Sequence, residues 1–145
     1  MTTAKPPTTR HPATATPTVW LTLQAHDAAA LIDYLVDTFG FVVTARYGDG
    51  DTVHHAELAW PEGTGGVMLG SYRPDRDWCR APGTAGGYVV TGDVDGLYRR
   101  VRHRDADVIR DLADTDYGSR EFAVRDPEGN LWSFGTYAGA SAPAG

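Results

Sequence analysis

The chain has 145 residues, 41% of them hydrophobic, which is enough for one domain with a sizeable core. Its formal charge of −6 argues against a broad nucleic-acid or anionic-membrane footprint and leans toward neutral or cationic small partners. No apolar run approaches the roughly 20 residues needed to span a bilayer. A lone cysteine, Cys79, excludes an intramolecular disulfide and fits a reducing, cytoplasmic setting.

Residues 1–18 are rich in Thr, Ala and Pro and carry no continuous apolar stretch, so they predict a disordered arm and not a secretory signal. A single folded domain is expected over 19–137. It opens with a strand, Val19 to Ala25. Asp27 then sits where a helix N-cap belongs, followed by Ala28, Leu31, Ile32 and Leu35 at helical spacing. A β-branched strand, Phe41 to Ala45, leads into a Gly-Asp turn at 48–51. The next strand carries His55 and Glu57 and ends at Pro61-Glu-Gly63, a turn because Pro sets φ and Gly supplies φ > 0. Gly66 to Gly70 closes this first module (19–71). A connection over 72–85 mixes Tyr72, Trp78 and Pro with alternating charge, and reads either as a solvated crossover or as a lid.

The same order of elements then repeats over a second module, 86–137. Asp93 falls on Asp27, Leu97 on Leu31 and Pro127-Glu-Gly129 on Pro61-Glu-Gly63, each at a spacing of 66. The last strands, Gly66 to Gly70 and Leu131 to Gly135, are offset by 65, so one residue is gained or lost in that turn. Each module reads βαβββ, and two of them can pair to close a curved sheet. His103 lies in a charged run that fits the exposed end of the second helix, and 138–145 forms a small-residue tail.

Two βαβββ modules with Asp126-Pro-Glu-Gly-Asn130 between the last strands resemble the vicinal oxygen chelate superfamily, which includes glyoxalase I, extradiol dioxygenases and bleomycin-resistance proteins. The stretch Tyr117 to Asn130 is most similar to the bleomycin-resistance branch. The resemblance implies an α+β fold of two curved mixed sheets with helices on their outer faces, and a homodimer with clefts formed between or shared by the chains. In metal-dependent members, each module supplies ligands from the start of its first strand and the middle of its last. Carried onto this chain, those positions are Trp20, Met68, Gly86 and Ser133. None suits a hard or borderline divalent ion, so no metal and no cofactor is expected.

Strand alternation turns the parity of those positions toward the cleft and the other parity (Leu21, Leu23, Val67, Leu69, Val89, Trp132, Phe134) toward the core. The candidate ligand-binding set is therefore Trp20, Thr22, Gln24, Met68, Tyr88, Val90, Ser133 and Tyr137. His55 and Glu57 join it from the third strand, and Trp78 from the connection. This set predicts metal-independent binding of an aromatic or amphipathic natural product, in the manner of antibiotic-resistance proteins, with the guest small and aromatic or cationic. The plain alternative for Trp20 is that it fills the space a metal would occupy; for His55 and Glu57, it is an ordinary polar network. The competing function is a lyase or isomerase, using either a metal relocated to His55, Glu57 and Glu121 or His55 and Glu57 as acid and base. Cys79 lacks partners for nucleophilic chemistry.

Overall fold

The computed structural model describes residues 16–141; most of the expected N-terminal arm and the end of the C-terminal tail lie outside these. The first module comprises β1 (Trp20–Ala25), α1 (Ala28–Tyr34), β2 (Val42–Asp49), β3 (Thr52–Ala59) and β4 (Gly66–Ser71). The second comprises β5 (Gly86–Val90), α2 (Val94–His103), β6 (Asp107–Asp114), β7 (Arg120–Arg125) and β8 (Leu131–Gly135). The sheet orders are β1-β4-β3-β2 and β5-β8-β7-β6, with β1 parallel to β4 and β5 parallel to β8. The duplication predicted from sequence is thus a duplication of topology. The two sheets remain separate four-stranded units and do not join through hydrogen bonds into one closed sheet.

Local chemistry explains the elements. The Asp27 carboxylate accepts from Ala30 N at 3.1 Å and that of Asp93 from Gly96 N at 3.0 Å, so each helix starts where its cap was read. Past Tyr34, α1 widens into a π-helical turn (Leu35–Phe39) that ends on Gly40 at φ 95°, a left-handed conformation suited to glycine. That end carries no basic residue of its own. Arg100 of α2 supplies the charge instead, donating to the carbonyls of Val36 and Asp37 at 3.0–3.3 Å.

The one-residue offset between the modules lies in the β3–β4 turn. Trp60 N bonds Gly65 O across six residues, whereas Asp126 N bonds Asn130 O across five. The positive φ accordingly moves: Gly129 has it (106°), but in the first module it falls on Gly65 (87°) and not on Gly63.

The parity predicted for the core holds: Leu23, Val67, Leu69, Trp132 and Phe134 are all buried, and Leu21 packs against them. The helix-bearing sides of both modules share one hydrophobic core. Phe39 bridges them, its ring 4.8 Å from Phe134 and 5.7 Å from Trp132, while Phe41 sits 5.0 Å from Trp60 and 5.7 Å from Trp132.

The two Pro-Glu-Gly turns also clasp the modules reciprocally. Glu62 accepts from Gly92 N at 2.8 Å and from the Thr91 hydroxyl at 2.9 Å, at the approach to α2. Its repeat partner Glu128 accepts from His26 N at 2.8 Å and Asp27 N at 2.9 Å, at the approach to α1. In both cases a carboxylate lies at a helix N-terminus, where exposed amides and the helix dipole favour it. Asp126 anchors the second turn. It is buried and accepts from the amides of Glu128, Gly129 and Asn130, the Asn130 side chain and Trp132 Nε1, all at 2.9–3.0 Å. The most family-like stretch of sequence therefore builds the scaffold. Among the described residues, no helix is long and apolar enough to cross a membrane.

Candidate functional site

With the helices on the shared side, the other face of each sheet is left open, and these faces carry the candidate residues. On the first sheet, register sets Met68 beside Thr22 and Glu57. Thr22, Gln24, His55 and Met68 floor a cavity of about 540 Å³. Arg73, Arg76, Trp78 and Cys79 of the connection line the same cavity. Backbone bonds shape the connection's path: Tyr72 N to Ala25 O at 2.9 Å, Arg76 N to Arg73 O at 3.0 Å, and Cys79 N to Arg76 O at 3.2 Å. His54, near the start of β3, also lines this cavity. Trp78 is 71% exposed, and the Arg76 guanidinium lies 5.4 Å from its ring centre.

His55 Nε2 and Glu57 Oε2 are 2.8 Å apart, both partly exposed, so the same-face pair read from sequence is formed. Tyr47 of β2 stacks along His55 at 6.3 Å between centroids.

The remaining candidates lie elsewhere. Trp20, Tyr88 and Val90 line a second cavity of about 640 Å³ between β1 and β5, backed by Phe41, Trp60 and Trp132. Ser133 is half-buried on β8 beside Tyr88 and Ala123. Tyr137 is exposed, and its carbonyl accepts from the Tyr88 hydroxyl at 2.8 Å. Within one chain, the candidate set is therefore divided between the two cavities and the open face of the second sheet.

That second face holds a polar network centred on Glu121, the repeat partner of His55. Glu121 is only 5% exposed; it accepts from the Tyr117 hydroxyl at 2.8 Å and from Arg110 at 3.1 Å. Burial works against its ionisation, yet the hydroxyls of Tyr117 and Ser119 and the Arg110 guanidinium outweigh it and hold its pKa below the ordinary glutamate value. The same carboxylate raises the Tyr117 pKa through their hydrogen bond, and burial raises that of Tyr88. From the sequence, Glu121 stands out only as a metal-ligand candidate, and nothing marks Arg110 or Tyr117 as its partners. The repeat alignment, which sets Glu121 on His55, is the signal that points to this position.

Within one chain, the relocated metal site does not form. Glu121 belongs to the other sheet and is held by Arg110 and Tyr117, and among the described residues no three His, Cys, Asp or Glu side chains cluster closely enough to hold an ion. The superfamily's own ligand positions fit a metal no better. Trp20 and Gly86 offer no donor side chain, Met68 a thioether and Ser133 a lone hydroxyl.

Comparison with known proteins agrees with this architecture. A family model described as the Glyoxalase/Bleomycin resistance protein/Dioxygenase superfamily matches residues 18–134. An uncharacterized protein of Mycobacterium bovis, Mb0911c, is 34% identical over 121 residues, covering 78% of each chain. Among solved structures, TioX from Micromonospora sp. ML1 is 32% identical with a TM-score of 0.66, covering 83% of this chain and 97% of its own. TnmS3, an antibiotic binding protein from Streptomyces sp. CB03234, has a TM-score of 0.65 at 23% identity, over 79% of this chain and 90% of its own, a likeness of fold. The chain belongs to the glyoxalase/bleomycin resistance protein/dioxygenase superfamily.

Proposed function

We propose that this chain is a binding protein that sequesters a small aromatic or amphipathic natural product without a metal and without covalent chemistry. The observation that carries this reading is the cavity on the first sheet. It has Met68 on its floor, Trp78 at its edge, and Thr22, Gln24 and His55 as a few convergent polar groups. Cavities of a few hundred Å³ with this mixture of apolar surface and sparse polar groups suit drug-sized organic molecules. TnmS3, which shares the fold, is described as an antibiotic binding protein, and this supports the reading. Sequestration of a toxic metabolite inside the cytoplasm is the corresponding physiological role.

The active form in this proposal is a homodimer. One chain leaves Tyr47, Tyr88, Tyr117, Leu131 and Tyr137 exposed on or beside its open faces. Opposing the first-sheet face of one copy to the second-sheet face of another would cover these groups and bring the divided candidates around one guest. The test is a thermal-shift and tryptophan-fluorescence screen of aromatic natural products, with sedimentation velocity on the same samples. Saturable binding by a dimer is the expected result; a monomer that binds none of them would defeat the proposal.

A second reading rests on the 2.8 Å His55–Glu57 pair at the cavity edge, which is suited to proton transfer. It requires that a bound compound be converted, and that His55→Ala abolish conversion while leaving binding measurable.

A further inference from the structure

The charge on the rim of the first-sheet cavity runs against the charge of the whole chain. No Asp or Glu lines it; its ionisable lining groups are Arg73, Arg76, His54, His55 and Cys79. Arg73 and Arg76 are held lightly. Each pairs with Asp75 through Nε, at 3.6 and 3.8 Å, beyond hydrogen-bond range, with all three side chains solvent-exposed. Among the described residues, neither guanidinium makes a hydrogen bond. Two other exposed arginines have hydrogen-bonded carboxylate partners: Arg120 bonds Asp95 and Asp114 at 3.0 Å, and Arg125 bonds Asp107 at 3.1 Å. Two guanidinium groups thus stand over one cavity with their forked donors unspent.

The net charge of −6 does not cancel this. Exposed charges are screened beyond about 8 Å at physiological ionic strength, so a guest in the cavity responds to the groups on its rim. Arg76 also lies across the exposed Trp78 ring, placing a cation beside a stacking surface. A planar guest on Trp78 would put an acidic substituent within reach of donors that bind carboxylate or sulfonate in bidentate fashion.

We propose that the first-sheet cavity selects planar aromatic guests bearing an anionic group, with Trp78 as the stacking surface and Arg73 and Arg76 as the anion clamp. This rests on the small-molecule-binding reading above and adds the guest's charge. It reverses the preference that the overall composition suggests.

The test uses two probes on nearly the same ring system, the anionic 8-anilinonaphthalene-1-sulfonate and its neutral relative N-phenyl-1-naphthylamine, titrated against the full chain by fluorescence. The wild type should bind the sulfonate about tenfold more tightly, the scale of one good charge-assisted contact. Replacing both arginines (Arg73→Gln with Arg76→Gln) should erase that preference, weakening the sulfonate far more than the neutral probe. Arg99→Gln, which removes the same charge from the exposed surface of α2, should preserve it. Trp78→Ala should weaken both probes. Equal affinities in the wild type, or a preference that survives the double substitution, would overturn the clamp while leaving small-molecule binding intact. Failure of both probes to bind would overturn the binding reading, and the clamp with it.

Discussion

The two modules share a topology and a core but differ on their open faces, and the contrast separates what the fold requires from what the site uses. The first face carries the His55–Glu57 pair beside a cavity that Arg73, Arg76, Trp78 and Cys79 of the connection help to line. On the second face the central carboxylate, Glu121, is consumed by Arg110 and Tyr117. Both modules keep an N-capping Asp and a Pro-Glu-Gly clasp, because those features hold the chain together. The open faces carry no such duty, so the duplicated residues diverged there.

The largest effect should come from the place where the turns themselves differ. Asp126→Ala strands five donors around one buried acceptor, three backbone amides and two side-chain groups. A loss of about 3–5 kcal/mol in urea-unfolding stability is expected. Its repeat partner Trp60 uses its Nε1 for one bond, to Val90 O at 2.9 Å. Any loss from Trp60→Phe that exceeds the single bond, of about 1 kcal/mol, would then measure packing. A loss of only about 1 kcal/mol for Asp126→Ala would mean that Asp126 is not the anchor described.

The clasps come next. Glu62→Ala and Glu128→Ala should each cost about 1 kcal/mol, as helix N-cap losses do. Because they meet different helices, the double variant should show additive losses. Strong non-additivity by chemical denaturation would show that the modules open as one cooperative clasp.

Trp78→Ala should leave stability within about 0.5 kcal/mol, as expected for an exposed side chain, yet weaken ligand affinity. An unchanged affinity would return the connection to a plain crossover.

The smallest effect is a pH dependence. With its folded-state pKa depressed, Glu121 contributes stability that is fully present above the unfolded-state value, near 4.3. That contribution is lost as pH falls through the lower folded value. Glu121→Gln should therefore flatten the acid limb of the stability profile relative to wild type. An identical acid limb would mean that Arg110 and Tyr117 do not favour the ionised form.

Much of this architecture was legible in the sequence because its causes are local or periodic. Asp27 and Asp93 cap helices through amides three residues away, and strand alternation sorted Leu23 and Phe134 into the core. The features that escaped depend on distant partners. Nothing near Gly40 announces that Arg100, 60 residues on, will cap that helix end. Nothing in Pro-Glu-Gly announces that its Glu reaches the other module's helix. The candidate site was legible only by face. Alternation says which side Trp20, Met68 and Tyr88 take, but not that Met68 borders a cavity different from the one shared by Trp20 and Tyr88. That division follows from how the modules pack, which no single strand encodes.

The most direct test of the central claim is an equilibrium titration of an aromatic natural product selected from the screen, with elemental analysis, before and after exhaustive treatment with chelator. Metal-independent sequestration predicts saturable binding with the same Kd and the same rise in Tm in both preparations. One divalent ion per chain in the starting protein, together with binding lost on its removal, would contradict it.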